Sequence, residues 1–308
     1  MRMSKGKVLI AGGSGLIGGR LTEFLLEAGF EPWWLSRSGT TRHGVKTAAW
    51  DPRAGTIEPG ALQDAYAVIN LAGEGIADGR WTDERKRRIV ESRTGTTELL
   101  VQGIQAMPTP PQVFVGASAI GYYGDRGSQL LTEDSPRGDS GFLPDSVTQI
   151  EEAITTAVPD TIRRVIPRFG VVLSNQGGAL PKFTGPIKLG VAAYMGSGHQ
   201  YMSWIHIDDL CRFLVMAIRD AHFEGVYNLT APEAVTGREL ASALRHTYNR
   251  FSVVMPVPAF ALRTAFGEMA DTILDSAKVL PERLINSRFS FEFPDIHSAL
   301  KDLKESGH

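Results

Sequence analysis

The chain has 308 residues, with 32 lysines and arginines against 34 aspartates and glutamates, and its formal net charge is −2. Hydrophobic residues make up 43% of it, which argues against a disordered chain. The balanced charge gives no overall attraction to nucleic acid or to an acidic membrane surface, and no stretch approaches the ~18 apolar residues of a membrane span. A single cysteine, Cys211, excludes an intramolecular disulfide and fits a reducing compartment. We expect a cytoplasmic globular protein without nucleic-acid or membrane partners.

Strand-like and helix-like segments alternate over the first 120 residues. The short apolar run at residues 7–11 predicts a strand that is buried on both faces. Further strands are predicted at 32–36, 46–50, 67–71 and 113–117, and helices at 16–28 and 81–106. Repeated strand-then-helix units imply right-handed crossovers. The sequence therefore predicts an α/β fold with a doubly wound parallel sheet.

The pattern is less regular further along the chain. Residues 125–141, rich in Gly, Ser, Asp and Pro, predict a long loop near the carboxyl edge of the sheet, and residues 192–200 predict turns. Helices are predicted at 146–157, 206–219 and 236–248, and strands within 164–173 and at 226–229. This part of the chain is expected to form a smaller lobe on the first sheet.

A glycine-rich segment joins the first predicted strand to the first predicted helix. Gly12 permits a tight turn, Gly15 lets backbone amides approach a pyrophosphate, and Gly18 lets the helix pack close to the strand. The helix N-terminus supplies unpaired N–H groups and a positive dipole end for phosphates. Dinucleotide binding is therefore predicted for Gly12, Gly13, Ser14, Gly15, Leu16, Ile17 and Gly18.

The second predicted strand indicates which dinucleotide is bound. Sites that prefer NAD usually end this strand in an acidic residue that holds the ribose 2′-hydroxyl, whereas here it ends in Ser36, Arg37 and Ser38. We predict that Arg37 pairs with a 2′-phosphate and that both serines donate hydrogen bonds to it, which favours NADP. The alternative is an ordinary surface arginine.

Further cofactor contacts are predicted at the ends of later strands. Asp51 is placed where a loop meets the adenine edge, and residues Leu71, Ala72 and Gly73 follow the fourth strand on the nicotinamide side. Arg168 follows a later strand and is predicted to bind an anionic group, with structural pairing inside the fold as the alternative.

Several motifs resemble those of extended short-chain dehydrogenase/reductases, in the same order. They are GGSGLIGG (12–19), INLAG (69–73), GAS with GYYG (116–118 and 121–124), PRFGVVL (167–173) and WIHIDD (204–209). More narrowly, the chain is similar to the atypical branch called epimerase family proteins, through NLAGEG (70–75), RWT (80–82) and ESR (91–93). LPER (280–283) and FSF (289–291) are similar to the short extra C-terminal domain of that branch.

The resemblance implies a fold and an activity. It implies a Rossmann-type domain that binds NAD(P), placed at 1–175 with 204–230 returning to it and taken as NADP-binding because of Arg37, and a smaller C-terminal substrate lobe at 176–203 and 231–308. It also implies an oxidoreductase or a nucleotide-sugar-epimerase-like enzyme that moves a hydride to or from a small molecule. The expected assembly is a monomer or a homodimer.

One feature departs from the wider superfamily, in which a tyrosine exchanges a proton and a lysine four residues later lowers its pKa. None of the seven tyrosines here has such a lysine. If Glu151 marks the usual register, Leu143 and Val147 occupy the two positions. A phenol of pKa about 10 is a poor base near neutral pH without such help.

Three other residues are predicted to assist catalysis. Ser118 matches the active-site serine of the superfamily and is predicted to donate a hydrogen bond to a carbonyl oxygen, whereas Tyr122 and Tyr123 are candidate proton donors. Their alternatives are a strand-end hydrogen bond for the serine and packing beneath the lobe for the tyrosines. The rival function is a non-catalytic NADP-binding redox sensor or regulatory partner.

Two charged segments are predicted to be structural. The basic run at 84–88 is flanked by acids and predicts a solvated helix face. His206, Asp208 and Asp209 suit a helix start, where acids favour the dipole, so no metal site is predicted.

Overall fold

A computed structural model describes residues 5–37 and 44–306. The elements up to residue 131 are β1 (Lys7–Ala11), α1 (Leu16–Glu27), β2 (Glu31–Ser36), β3 (Lys46–Asp51), β4 (Thr56–Ile57), β5 (Ala65–Asn70), α2 (Asp83–Gln105), β6 (Val113–Gly116), β7 (Ser118–Ala119), a 3-10 turn (Ile120–Tyr123) and β8 (Leu130–Leu131).

The later elements extend to the C-terminal helix. They are α3 (Phe142–Ala157), β9 (Arg163–Phe169), β10 (Val171–Ser174), β11 (Gly177–Gly178), α4 (Leu180–Lys188), β12 (Val191–Met195), β13 (Tyr201–Met202), β14 (Trp204–His206), α5 (Ile207–Arg219), β15 (Gly225–Leu229), β16 (Val235–Thr236), α6 (Gly237–Tyr248), β17 (Val253–Val257), α7 (Ala259–Phe266), a 3-10 turn (Gly267–Ala270), α8 (Asp271–Leu274), β18 (Lys278–Val279), α9 (Glu282–Asn286) and α10 (Ile296–Glu305).

Nine strands in the described part of the chain form one sheet. Their order is β15-β9-β6-β5-β1-β2-β3-β4, and β7 also pairs with β9. All these pairs are parallel except β3 with β4. The predicted α/β fold with a doubly wound parallel sheet is confirmed. In such a sheet, ligands bind in the crevice outside the carboxyl ends of the strands.

Both faces of the sheet are covered by helices. The central strand β1 sends Val8 and Ile10 into a cluster with α1 and α5, and Leu9 and Ala11 into a cluster with α2 and α3. This explains why the strand is continuously apolar from Val8 to Ala11 instead of alternating. The first of these clusters packs α1, with its glycine-rich entry, against the first strand.

The smaller lobe has a core of its own. Buried side chains of β10, β14, α4, α6 and α10 form this cluster. β12 overlaps the segment predicted as turns, 192–200, so that prediction is wrong for residues 192–195. The strand forms because it pairs in parallel with β17, a segment about 60 residues later, and this pairing leaves no local signal in the sequence. Among the described helices, none is long and apolar enough to cross a membrane.

Candidate active site

The register of the central strands brings the predicted cofactor segments to one edge of the sheet. Ala11 at the end of β1 lies opposite Leu35 of β2 and Asn70 of β5. The Leu71 amide donates a hydrogen bond to the Ala11 carbonyl over 2.9 Å. The glycine-rich loop, the Ser36–Arg37 segment and the Leu71–Gly73 segment therefore begin side by side.

The glycine-rich loop has little room for side chains. Gly12 has φ +82°, and a Cβ on it would lie 2.9 Å from the Leu71 carbonyl carbon. A Cβ on Gly18 would overlap the Gly12 carbonyl oxygen, and one on Gly13 would overlap the Trp34 indole ring. The helix α1 begins after Gly15 without a side-chain cap, so its first amides have no side-chain partner. This loop fits a diphosphate bound by backbone amides.

The residues predicted to select NADP stand at the end of β2. Ser36 is the last residue of the strand, and Arg37 follows it with an exposed side chain. The predicted contact at Ser38 lies outside the described residues. Asp51 ends β3, and its carboxylate accepts hydrogen bonds from the backbone amides of Arg53 and Ala54. Asp51 therefore stabilises a turn beside the site.

Arg93 of α2 lies against the predicted cofactor-binding segments. The sequence analysis did not predict this arginine as a ligand. A Cβ on Gly73 would be 2.7 Å from Arg93 Cζ, and Arg93 Nη1 donates to the Ile89 carbonyl over 2.9 Å. The carboxylate of Glu74 instead pairs with Arg85 and Arg88. Burial lowers the pKa of Arg93, and the charge of Glu74 only partly opposes this effect.

A buried hydrogen-bond cluster sets the position of Arg93. Asn70 Nδ2 donates to the hydroxyls of Thr96 and Thr97, each over 3.1 Å. Both hydroxyls donate in turn to the Arg93 carbonyl, over 2.9 and 3.0 Å. The end of β5 is thereby tied to α2, and Arg93 lies one helical turn before the threonines. The ESR motif at 91–93 was the only feature of the sequence that drew attention to Arg93.

Ser118 lies in a buried network with an ion pair. Its Oγ donates to Glu151 Oε1 over 2.5 Å. Arg168 holds the same carboxylate through Nε and Nη2, over 2.7 and 2.8 Å, and its Nη1 donates to the Tyr123 hydroxyl over 2.9 Å. An ionised carboxylate only accepts hydrogen bonds, so the hydroxyl hydrogen of Ser118 points to it. In this arrangement the serine has no hydrogen left for a substrate carbonyl, contrary to the predicted donor role.

The cofactor role predicted for Arg168 also needs correction. The side chain is only 5% exposed, and each of its three guanidinium nitrogens donates to a protein partner. The predicted alternative, structural pairing inside the fold, describes its position. The reason is the register of β9, where Arg168 stands directly opposite Ser118 of β7.

The two tyrosines of the GYYG segment have different surroundings. Tyr123 is fully buried, and its hydroxyl reaches Asn228 Oδ1 over 2.7 Å and the Thr132 carbonyl over 3.0 Å. Burial raises its pKa, against the opposing charge of Arg168. Tyr122 is half-buried, and the Arg168 guanidinium carbon lies 3.5 Å from its ring centroid. Within the described residues the Tyr122 hydroxyl makes no hydrogen bond, so it is the accessible phenol of the pair.

The helix α3 carries apolar side chains at the two positions where the resemblance places the tyrosine and lysine of the wider superfamily. Leu143 packs against the 3-10 turn, where a Cβ on Gly121 would be 3.3 Å from its Cβ, and Val147 is buried one turn later. Leu143 also lines a cavity of about 340 Å³ between this helix and the C-terminal segment. In that cavity, burial and the charges of Asp125 and Asp271 raise the pKa of Asp275 to about 6.

Comparisons with known proteins agree with this architecture. Residues 8–230 match the NAD dependent epimerase/dehydratase family, and residues 257–303 match a domain of unknown function, DUF1731. The epimerase family protein SDR39U1 of Homo sapiens is 35% identical over 301 residues, which cover 96% of this chain and 99% of that protein.

Two solved structures extend the comparison to three dimensions. A crystal structure of human SDR39U1 (isoform2) with NADPH has a TM-score of 0.86 and 34% identity, and the match covers 97% of this chain and 99% of that chain. A nucleoside-diphosphate sugar epimerase from Corynebacterium glutamicum has a TM-score of 0.78 and 31% identity, with 97% of this chain and 58% of that chain covered. The resemblance to epimerase family proteins is confirmed, and the chain belongs to the NAD dependent epimerase/dehydratase family.

Proposed function

We propose that this protein binds NADP(H) at the carboxyl edge of its sheet and is an oxidoreductase or epimerase-like enzyme acting on a small molecule. The glycine-rich loop carries the proposal, because its glycines allow a tightly packed backbone and the first amides of α1 have no side-chain partner at the position where a diphosphate binds. The NADPH in the crystal structure of human SDR39U1 supports the same cofactor here. When bound, the cofactor would supply a hydride donor or acceptor.

Residues around the loop would hold the rest of the dinucleotide. Arg37 offers a guanidinium for a 2′-phosphate at a strand end that has no acidic residue to hold a 2′-hydroxyl. Arg93 adds a second cation beside Gly73 for an anionic group. Leu71 and Ala72 would line the pocket through their backbone.

For the chemical step, the proposal assigns Tyr122 as the residue that exchanges a proton. It is the one predicted catalytic residue whose hydroxyl makes no hydrogen bond to the described residues, whereas those of Ser118 and Tyr123 do. Ser118, with its hydrogen on Glu151, would accept a hydrogen bond from a substrate or cofactor donor.

The test combines cofactor binding with turnover. Titration with NADPH should enhance or shift the nicotinamide fluorescence, and a panel of carbonyl compounds and nucleotide sugars should contain one that oxidises the bound NADPH. Tyr122→Phe should then reduce the turnover number by about 10²-fold or more, the scale of general acid catalysis, with NADPH affinity unchanged. Tyr123→Phe serves as the comparison, because its hydroxyl is buried.

The rival is a sensor that binds NADP(H) without turnover. The apolar residues Leu143 and Val147 and the closed network around Arg168 favour it. Tight NADPH binding with no oxidation across the whole panel would support the sensor against the enzyme. Absence of NADPH binding would contradict both.

A further inference from the structure

The tip of the smaller lobe, formed by residues 187–190 and 249–253, exposes large apolar side chains. α4 and α6 end at this lobe tip, and the paired strands β12 and β17 begin there. Leu189 is 85% exposed and Phe251 is 87% exposed. Single exposed apolar residues are ordinary in folded proteins, but two large ones with nearly full exposure on neighbouring turns indicate an interaction surface.

Hydrogen bonds join the two turns of the lobe tip. The Val253 amide donates to the Gly190 carbonyl over 2.8 Å. Asn249 Nδ2 and Ser252 Oγ both donate to the Ile187 carbonyl over 3.3 Å. The exposed side chains therefore stand on a fixed backbone, so that docking them requires little additional ordering of the chain.

The lobe tip is also cationic. Lys188 and Arg250 are exposed and directly adjoin the two apolar residues in the chain. The sequence contains no aspartate or glutamate from residue 161 to 207 or from 240 to 267, the two stretches that supply the tip. Exposed Lys182 and Arg245 in the same stretches add to the positive charge. Apolar groups flanked by cations are complementary to an anionic lipid surface.

We propose that the lobe tip docks this protein on an anionic lipid bilayer, with Leu189 and Phe251 entering the interface and Lys188 and Arg250 contacting headgroups. The electrostatic attraction to the bilayer would come from the lobe tip and not from the protein as a whole, because the whole chain has a net charge of −2. Such a peripheral contact would differ from the expectation, based on composition and charge, that the protein has no membrane partner. It does not depend on the proposed enzymatic function.

Other occupants fit the lobe tip less well. A second copy docked tip to tip would bring the same cations together across a two-fold axis, with no carboxylate from these stretches to meet them. A protein partner normally buries about 800 Å² on each side, whereas the tip projects a few side chains. A bilayer accepts a small projecting apolar surface.

Sedimentation of the full chain with lipid vesicles tests the proposal. The protein should pellet with phosphatidylcholine vesicles that contain phosphatidylserine, much less with phosphatidylcholine alone, and less at high salt. Leu189→Ser with Phe251→Ser should weaken binding by roughly tenfold or more. The double variant Lys188→Ser/Arg250→Ser should weaken vesicle binding by about 25-fold, because each cation near the surface contributes about fivefold to the affinity.

Leu26→Ser on α1, 56% exposed and far along the chain from the tip, is the matched control and should bind the vesicles normally. Thermal unfolding should be unchanged in all these variants, since the replaced side chains are exposed. Equal pelleting with both vesicle types, or unchanged binding by the tip variants, would overturn the proposal. Self-association without vesicles that the Leu189→Ser/Phe251→Ser variant removes would assign the tip to a second copy and also overturn it.

Discussion

Arg168 holds Glu151 inside the protein through two nearly equal hydrogen bonds, 2.7 Å from Nε to Oε1 and 2.8 Å from Nη2 to Oε2. The pair joins β9 to α3. Ser118 of β7 donates to the carboxylate, and Tyr123 of the 3-10 turn accepts from the guanidinium. One ion pair therefore connects four elements, two of which, β7 and the 3-10 turn, carry the candidate catalytic residues.

Breaking this ion pair should destabilise the fold. Glu151→Gln leaves the Arg168 guanidinium buried without a counter-charge, and the expected loss is about 3–5 kcal/mol in the free energy of unfolding by urea. Replacing both residues with methionine should cost less than Glu151→Gln, because no uncompensated charge stays buried. A loss below about 1 kcal/mol for Glu151→Gln would contradict a structural role for the pair.

Cofactor choice should depend on Arg37. Arg37→Ala is expected to weaken NADPH binding by about tenfold or more, since a charge-assisted contact to the 2′-phosphate is lost, and to change NADH binding little. Fluorescence titration with both dinucleotides measures the ratio. Arg53→Ala, an exposed arginine after β3, is the control and should leave both affinities unchanged. Equal weakening for the two dinucleotides would argue against selection of NADP by Arg37.

Arg93 should affect both dinucleotides alike. Arg93→Met removes a cation beside Gly73, which is predicted to lie on the nicotinamide side, a part common to NADPH and NADH, so both affinities should fall by about tenfold. Arg93→Lys keeps the positive charge and should lose less affinity for both dinucleotides. Arg88→Met, on the same helix and paired with Glu74, is the matched control. Normal affinities in Arg93→Met, with a lowered melting temperature, would show that the residue only supports the loop.

The stability of the protein should depend on the protonation of Asp275. Its pKa rises from the ordinary 3.8 to about 6 in the folded state, because of burial and the nearby charges of Asp125 and Asp271. The folded state therefore binds this proton more tightly than the unfolded state. Its contribution to stability is complete below about pH 4 and is lost as the pH rises through about 6.

Asp275→Asn removes this dependence. At pH 7 the variant should melt roughly 1–2 °C higher than the wild type, because it removes a partly buried charge and the repulsion of that charge by Asp125 and Asp271. At pH 4 the two proteins should melt at similar temperatures. A variant that melts lower at pH 7 would show that the carboxylate makes a favourable contact there.

The glycine-rich loop could be predicted from the sequence because its requirements are local. Gly12, Gly15 and Gly18 lie within one strand–turn–helix unit, and the positive φ of Gly12 and the close approach at Gly18 are properties of that unit. The central strands β1, β5 and β6 were predictable for a similar reason, since burial on both faces makes most of each run apolar. β12 was not, because its partner lies in β17.

The surroundings of the candidate catalytic residues depend on contacts between distant parts of the chain, so they could not be predicted from the sequence. Ser118 meets Glu151 33 residues later, and Tyr123 meets Asn228 105 residues later. Buried polar groups must find such partners, and the sequence does not show which ones. Only the fold shows that Tyr122, next to a buried neighbour of the same type, keeps an accessible hydroxyl.

The sequence by itself determined the family, through motifs in a fixed order along the chain, and the parallel sheet and the glycine-rich loop, because these two rest on spacing within neighbouring elements. The tertiary structure alone decided that Arg168 is a partner of Glu151, that Arg93 lies on Gly73, and that Leu189 and Phe251 are exposed together. These relationships join residues that are far apart in the chain. They arise when strand register and helix packing bring such residues within a few ångströms of each other.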